Sequence, residues 1–293
     1  NRCLVGSEMC IRDSNNFDPN YLIAGIPKKL EKSWNISNDE VFVIEADEYD
    51  TCYFDKRPKF FHYRPNTLLI NNIEFDHADI YENIEMIEKN FFELIKTMPL
   101  KSKVLINEKK VSKSFRNKLK KEKLKTTLQF LSLNASNIHE ENKLLAAHAI
   151  EDLISKEKVL NGLKDYTGVK RRFETIFDDK NFKLIDDFAH HPTAIEETIK
   201  MIREQTDNLT LIVELGSNSM KRGVHDKRLV EIFKNQETYT INASAEQEKI
   251  FSVHAKELTN DDIVKICSKD EKKKTILMCG NRNFYGFQKL IPV

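Results

Sequence analysis

Apolar runs alternate with polar segments through the first half of the chain, and their spacing separates strands from helices. The run from Val41 to Ala46 (VFVIEA) is continuous, apolar and β-branched, which is typical of a strand buried on both faces in a parallel sheet. The run from Asn66 to Asn71 repeats that pattern, and apolar residues recur at helical spacing between Glu82 and Met98. Further predicted elements are strands at Val104–Ile106 and near Leu128–Leu133, and a helix near Glu141–Ile154.

The second half of the chain shows the same alternation. Its predicted elements are strands near Phe173–Phe177, Phe182–Asp186, Leu209–Glu214 and Thr275–Cys279, and a helix at Thr193–Arg203. Alternating strands and helices imply right-handed crossovers and a parallel sheet, so the predicted fold class is α/β. Gly162 and Gly168 mark a break between the two periodic regions. We therefore predict two domains, residues 15–162 and 163–293.

Composition narrows the kind of protein. A chain of 293 residues is long enough for two domains with separate cores. Lys plus Arg number 47 and Asp plus Glu 46, which argues against nucleic acid as a partner, and the basic stretch Lys109–Lys125 is interpreted as a solvated helix face.

The five cysteines are an odd number without C-x-x-C spacing, which indicates reduced thiols and a cytoplasmic protein. No apolar run has the roughly 18 residues that a membrane span needs. We expect no membrane partner and a monomer.

The first 14 residues are set aside from the fold. Their sequence LVGSEMCIRDS resembles translated adapter sequence at the end of a shotgun read, and the alternative is a natural polar extension. On either interpretation we expect this segment to carry no chemistry.

Two acid-rich segments follow predicted strands. Glu45, Asp47, Glu48 and Asp50 lie within six positions, and such a concentration of negative charge calls for water, a cation or a basic partner. Magnesium prefers oxygen ligands and usually takes one or two protein carboxylates beside phosphates and water. Solvated surface acids are an equally good explanation of this cluster taken alone.

The second segment, Asn71 to His77 (NNIEFDH), adds a histidine to acids at a strand end. A lone histidine is usually structural, but imidazole can also complete a divalent-ion site or orient a phosphate. Because ligands bind at the carboxyl ends of parallel strands, we expect both acid-rich segments to lie at one edge of a single sheet.

The sequence from Glu45 to Tyr81, EADEYDTCYFDKRPKFFHYRPNTLLINNIEFDHADIY, resembles the central domain of the Mur ligases, specifically the branch that recycles a murein tripeptide. The resemblance implies a truncated central ATPase domain with a mainly parallel sheet, followed by a Rossmann-like C-terminal domain. It implies that Glu45 and His77 bind magnesium and take part in catalysis. The resemblance also favours the recycling branch, because the L-alanine-adding ligases lack a counterpart of the segment Asp55–Phe60.

Three segments of the second half extend the resemblance. In GVKRRFE, the second arginine, Arg172, is expected to contact ATP phosphate, a role that suits a guanidinium fork. In DDFAHHP, Asp187 is expected to hold the ATP ribose, and His190 and His191 to line the reaction cleft. The segment SNSMK is similar to a family loop that meets the incoming peptide, and its expected substrate-binding residues are Ser217, Asn218 and Lys221.

The chain also departs from the family pattern. Ile138 stands where a histidine is expected near the adenine, while Asn142 matches and is expected to bind the nucleotide. Leu215 and Gly216 replace a Pro-Arg pair, which puts the peptide specificity in doubt. None of the eight glycines is followed by lysine, so the phosphate-binding loop G-x-x-x-x-G-K-[ST] is absent from this sequence.

The resemblance implies an ATP- and Mg²⁺-dependent amide ligase with UDP-N-acetylmuramate and the murein tripeptide as substrates. ATP would phosphorylate the lactoyl carboxylate, the tripeptide amine would displace phosphate, and the two domains would close around the nucleotide. Without the phosphate-binding loop we expect little or no ligase activity from this chain alone. The alternatives are an L-alanine-adding ligase, a metal-dependent phosphohydrolase and a noncatalytic nucleotide-binding remnant.

Overall fold

A computed structural model describes residues 9, 18–30, 32–48, 50–77, 80–164, 166–268, 272–284 and 286. The chain divides into two compact units between Lys170 and Arg171. Helices alternate with mainly parallel strands in both units, which confirms the predicted α/β fold class.

The described part of the first unit contains two separate sheets of three strands. One has the order β2-β1-β3, and the other has the order β4-β5-β6 with all strands parallel. Their bounds are β1 Asn20–Leu22, β2 Trp34–Asn35, β3 Phe42–Ile44, β4 Thr67–Ile70, β5 Lys103–Asn107 and β6 Thr127–Leu131.

The prediction that the two acid-bearing strands, β3 and β4, share one sheet was wrong. Each is an edge strand of its own sheet, and the two sheets share no strand. Parallel neighbours in a sheet need a crossover of a dozen or more residues, usually a helix. The described residues between β3 and β4 contain one short 3-10 turn, Lys59–His62, and no α-helix. The apolar pattern predicted the strands but could not predict their partners.

The described helices from Ile84 onward in the first unit are α1 Ile84–Thr97, α2 Lys113–Lys121, α3 Ile138–Ile150 and α4 Lys156–Lys164, with a 3-10 turn at Glu108–Lys110. Helix α1 begins at Asn83, whose side chain accepts a hydrogen bond from Met86 N–H, and it packs Phe92 and Ile95 into the core over β4 and β5. The predicted basic helix is α2, which buries Phe115 and turns its lysines outward. Gly162 lies inside α4, not at a break.

The second unit is built on a six-stranded sheet of order β11-β10-β9-β12-β8-β7. All neighbouring strands are parallel except β7, which forms an antiparallel pair with β8. The strand bounds are β7 Glu174–Asp178, β8 Phe182–Asp187, β9 Leu209–Glu214, β10 Glu237–Ile241, β11 Lys256–Glu257 and β12 Lys274–Cys279. The helices are α5 Pro192–Arg203, α6 Asn218–Lys221, α7 Asp226–Phe233, α8 Ala245–Phe251 and α9 Asn260–Ile266.

Strand β10 was missed by the sequence analysis because its alternate positions are threonines. Thr238 and Thr240 are buried, and each hydroxyl is hydrogen bonded, Thr240 to the carboxylate of Glu257. A threonine can be buried when its hydroxyl is hydrogen bonded, but it counts as polar in the sequence. A search for apolar runs therefore does not find such a strand.

The first 17 residues lie outside the described part of the chain except for Met9. That side chain is 1% exposed and belongs to a small core with Tyr21, Ile23 and Val43, so one residue of the segment we set aside takes part in packing. Among the described residues, no helix combines the length and apolar character that crossing a bilayer requires.

Candidate active site

The carboxylate of Glu45 is fixed at the end of β3. Its backbone N–H donates to the carbonyl of Leu22, and its Oε2 accepts a hydrogen bond of 2.9 Å from Ala24 N–H. These contacts hold the side chain beside the carboxyl ends of the two parallel strands β1 and β3. This is the edge of an α/β sheet at which ligands bind.

The loop after β4 reaches the loop after β3 although the strands lie in different sheets. His77 Nε2 lies 3.2 Å from Glu48 Oε1, and the Tyr81 hydroxyl donates to the Glu48 carbonyl. His77 has a φ of 53°, in the left-handed region, and Asp76 accepts its backbone N–H at 2.7 Å. Non-glycine residues in that region are uncommon and cluster at functional sites. The structure therefore brings His77 to the acid cluster through Glu48.

The metal-binding capacity of this edge is limited. Among the described residues, no group of three or more histidine, cysteine or acidic side chains is arranged to hold a metal ion. The carboxylates of Glu45 and Glu48 supply oxygen atoms, whereas the Nε2 of His77 is engaged with Glu48. Such a donor set fits Mg²⁺ that takes most of its ligands from phosphates and water. This donor set does not fit a metal site whose ligands all come from the protein.

Asn142, the predicted nucleotide-binding residue, lies in a buried amide network. Its Oδ1 accepts from Asn71 Nδ2 at 2.9 Å, and Asn71 Oδ1 accepts from Asn107 Nδ2 at 3.2 Å. The three side chains join the end of β4, the end of β5 and helix α3, and all three are buried. The network fixes these elements relative to one another beside the His77 loop.

In the second unit, a strained turn presents two consecutive arginines. Arg171 has a φ of 57° and Phe173 a φ of 49°, both in the left-handed region. Arg171 Nε lies 3.0 Å from Asp186 Oδ2, and Arg171 Nη2 donates to the carbonyl of Gly280 at 3.0 Å. Burial raises the pKa of Asp186, and the guanidinium of Arg171 opposes that rise. Through these contacts Arg171 fixes the turn against the ends of β8 and β12.

Asp187 completes the anchoring of this turn. It is 5% exposed, its Oδ2 accepts Phe173 N–H at 2.9 Å, and its Oδ1 accepts Ala189 N–H at 2.8 Å. Both carboxylate oxygens therefore bind backbone donors of the chain itself. The predicted ribose contact stays a prediction, and it would have to use the remaining lone pairs of a buried carboxylate.

Arg172 differs from its neighbour in having no ion-pair partner among the described residues. Its guanidinium carbon lies 5.0 Å from the centre of the Phe188 ring, and its side chain is half-buried. Stacking on an aromatic face fixes the plane of a guanidinium while leaving its N–H groups directed outward. Of the two arginines, Arg172 is the one that can bind an incoming anion.

The histidines His190 and His191 lie between β8 and α5. His190 Nδ1 is 2.9 Å from the Phe188 carbonyl, a distance at which the ring donates its Nδ1–H to that oxygen. The ring of His191 packs edge-on against His225, with centroids 4.6 Å apart. The sequence analysis did not identify His225, which no motif marks.

The SNSMK segment forms the short helix α6 directly after β9. Ser217 caps it by accepting Met220 N–H, while Asn218 and Lys221 are exposed. The capping role accounts for Ser217 without a ligand, and the substrate contacts expected of Asn218 and Lys221 stay a prediction.

Glu214, at the end of β9, is a further buried acid that the sequence analysis missed. It is 0% exposed, and its Oε2 accepts Arg282 N–H at 3.1 Å. A Cβ on Gly280 would lie 2.7 Å from Glu214 Cβ, so glycine is required for this close approach. Burial raises the pKa of Glu214. The signal available in the sequence was an acid that ends an apolar strand and precedes a glycine two positions later.

The acids and the arginine turn of the second unit converge on one edge of its sheet. Asp186 and Asp187 end β8, Glu214 ends β9, and Gly280 follows β12, which lies between them. Strands β8, β12 and β9 are parallel, so their carboxyl ends lie together. This is the ligand-binding edge of a doubly wound α/β fold.

Comparison with known proteins agrees with this architecture. The family model for the Mur ligase middle domain matches residues 14–159, and that for the Mur ligase glutamate ligase domain matches residues 171–282. The chain belongs to the Mur ligase family.

Within that family, the chain is 31% identical over 254 residues to the UDP-N-acetylmuramate--L-alanyl-gamma-D-glutamyl-meso-2,6-diaminoheptandioate ligase of Escherichia coli. That alignment covers 75% of this chain and 55% of the relative, so the chain spans about half of its length. It is 26% identical over 321 residues to the UDP-N-acetylmuramate--L-alanine ligase of Fusobacterium nucleatum, covering 90% of this chain and 67% of that enzyme. The murein peptide ligase of Psychrobacter arcticus has the same fold, with a TM-score of 0.69 and 25% identity over 99% of this chain and 75% of that one.

Proposed function

We propose that this chain carries the nucleotide-binding and amide-forming part of a cytoplasmic, ATP-dependent ligase that joins UDP-N-acetylmuramate to the murein tripeptide. The observation that carries the proposal is the identity of 31% over 254 residues with a tripeptide ligase, against 26% over 321 residues and 30% over 216 residues with two L-alanine ligases. The segment Asp55–Phe60, which the resemblance assigns to the recycling branch, supports the same choice.

The arginine turn supports nucleotide binding. Arg171 is held by Asp186, and Arg172 is left to direct its N–H groups at phosphate oxygens. A guanidinium fork matches phosphate geometry, and charge-assisted hydrogen bonds of this kind are about twice as strong as neutral ones. Phe188 would fix the orientation of the fork before the anion arrives.

The proposed reaction makes an amide from a carboxylate and an amine. When bound, magnesium ATP supplies the phosphoryl group that turns a carboxylate oxygen into a leaving group. The carboxylate of Glu45, held by Ala24, would provide one oxygen ligand to the ion. The resemblance also assigns His190 and His191 to the reaction cleft, and both follow the carboxyl end of β8.

Calorimetric titration of the chain with magnesium ADP tests the nucleotide site. We expect Arg172→Ala to weaken binding by roughly 10- to 100-fold, because charged hydrogen bonds contribute about 1.5–3 kcal/mol. Arg172→Lys should recover part of the loss. Arg228→Ala, which removes a half-exposed arginine paired with Glu196, is the matched control and should leave binding unchanged. Equal affinity of the Arg172→Ala and native chains would contradict the assignment of Arg172.

Phosphate release in the presence of UDP-N-acetylmuramate and tripeptide tests the activity. We expect little or no turnover from this chain alone, and tripeptide-dependent turnover when the phosphate-binding loop and the domain before it are supplied from the Escherichia coli relative. Turnover with free L-alanine in place of tripeptide would favour the L-alanine-adding ligase. ATP hydrolysis without any amine would favour a phosphohydrolase, and nucleotide binding without turnover in any arrangement would favour a noncatalytic remnant.

A further inference from the structure

The loop that follows β12 lies against the loop that follows β9. The backbone N–H of Arg282 donates to Glu214 Oε2 at 3.1 Å, and Arg282 Nε donates to the carbonyl of Gly216 at 3.3 Å. Glu214 is the last residue of β9, and Gly216 follows it by two positions. Both the backbone and the side chain of Arg282 are therefore attached to the β9 loop.

The stem of Arg282 fills the space beside Gly216. A Cβ on Gly216 would lie 2.7 Å from Arg282 Cγ and 2.8 Å from Asn281 Oδ1, and atoms do not approach a Cβ so closely without a shift. A side chain at position 216 and Arg282 in its present place thus exclude each other. Leu215 and Gly216 stand where the family pattern has Pro-Arg. The β12 loop therefore brings an arginine to the place where the β9 loop lacks one.

The outer nitrogen atoms of Arg282 remain for another partner. Its Nε is engaged with the Gly216 carbonyl, and Arg282 forms no ion pair among the described residues. Arg171, by contrast, is paired with the buried Asp186. A guanidinium has five N–H donors in a planar fork, so the engaged Nε leaves the two Nη groups for an anion.

Arg282 lies at the ligand-binding edge of the second sheet. Strand β12 lies between β8 and β9, and the three are parallel. On the β8 side, Arg171 Nη2 donates to the carbonyl of Gly280, and on the β9 side Arg282 meets Gly216. The candidate phosphate ligand Arg172 thus belongs to one flank of β12 and Arg282 to the other. Helix α6, which is expected to meet the peptide, begins two positions after Gly216.

We propose that Arg282 binds a carboxylate of the acceptor peptide and so helps to select that substrate. The inference rests on the proposed function, which supplies a peptide whose γ-linked glutamyl and diaminopimelyl residues carry free carboxylates. The two Nη groups of a guanidinium match the two oxygens of a carboxylate. Because the chain already holds the Arg282 stem and Nε, the side chain loses less rotamer freedom when the peptide binds.

Calorimetric titration of the 293-residue chain with the murein tripeptide, in saturating magnesium ADP, tests the proposal. We expect Arg282→Ala to raise the dissociation constant of the tripeptide roughly 10- to 100-fold and to leave that of ADP unchanged. Arg282→Lys should recover part of the loss, because an ammonium keeps the charge without the fork. The matched control is Asn283→Ala, which changes an exposed side chain of the same loop and should leave both dissociation constants unchanged.

A tripeptide whose carboxylates are converted to carboxamides tests the chemistry of the contact. It should bind the native chain about as weakly as the unmodified tripeptide binds Arg282→Ala, and the substitution should not weaken it further. Far-ultraviolet circular dichroism of each variant confirms that the fold is kept.

Three outcomes would overturn the role of Arg282. One is equal tripeptide affinity of the Arg282→Ala and native chains, or a native chain that binds ADP but no tripeptide. Another is an Arg282→Ala variant that weakens the carboxamide peptide as much as the tripeptide. The third is a loss of ADP affinity in Arg282→Ala, which would assign this guanidinium to a phosphate. A native chain that fails to bind ADP would contradict the proposed nucleotide site instead, and the tripeptide titration without ADP would then decide the role of Arg282.

Discussion

At the residue scale, side chains of the same type that are adjacent in sequence make different contacts. Arg171 and Arg172 are adjacent in sequence, yet Arg171 binds the buried Asp186 and Arg172 stacks on Phe188. Asp186 and Asp187 are likewise adjacent, and Asp186 meets a guanidinium while Asp187 accepts two backbone N–H groups. A motif identifies the segment, but burial and hydrogen bonding assign the individual roles.

The buried carboxyl of Glu214 should make folding stability depend on pH. Burial raises its pKa in the folded chain above the value of about 4.3 that the unfolded chain has. The folded state therefore holds this proton more tightly, so its stabilising effect is present at low pH and is lost as pH rises through the folded pKa. Urea unfolding between about pH 5 and 7.5 should show native stability falling relative to Glu214→Gln.

The control for this measurement is Glu248→Gln, which neutralises an exposed glutamate of the same unit. It should follow the native pH profile, since an exposed carboxyl is solvated in both states. If the Glu214→Gln and native profiles run parallel, burial of Glu214 does not perturb its titration.

At the element scale, loops after strands create the candidate site, and polar networks hold those loops. The amide network of Asn71, Asn107 and Asn142 ties β4, β5 and α3 together directly before the His77 loop. Buried amides contribute net stability only when their partners are in place. The position of His77 thus depends on elements well separated from it in the sequence.

We expect Asn71→Ala to lower the free energy of unfolding by about 1–3 kcal/mol, because it leaves buried amide groups of Asn107 and Asn142 without a partner. Asn72→Ala, the adjacent and less buried asparagine, should change it by less than about 0.5 kcal/mol. Urea denaturation followed by circular dichroism measures both. Equal effects of the two substitutions would show that the network does not stabilise the unit.

At the scale of the whole molecule, the two units have separate cores. The clusters around Leu68 and Leu145 contain residues of the first unit only, and those around Leu211 and Ile276 contain residues of the second only. Every strand of the six-stranded sheet lies after Lys170. Each unit therefore has the internal packing that independent folding requires.

Residues 171–293, expressed alone, should fold into a compact domain with a single cooperative thermal transition. Their sheet loses no strand when the first unit is removed, and their core loses no described member. Circular dichroism and dispersed amide resonances in NMR would show the fold. A gradual, non-cooperative melt would mean that the first unit is needed to stabilise the second.

The sequence by itself predicted several of the strands and helices and supplied candidate residues for the chemistry. Apolar periodicity predicted β4, α1 and β9 nearly to their ends, because burial on a strand or helix imposes a local spacing. The motifs marked Arg172, Asp187 and His77 as candidate site residues, because those side-chain types suit nucleotide and metal binding. Strands that bury threonine, such as β10, were not predicted because their sequence pattern is polar.

Only the tertiary structure decided which strands share a sheet and which polar side chains are already engaged in hydrogen bonds or ion pairs within the chain. It placed β3 and β4 in different sheets yet joined their loops through Glu48 and His77, and it buried Glu214. These outcomes depend on contacts between residues far apart in the chain, whose free energies no local spacing encodes.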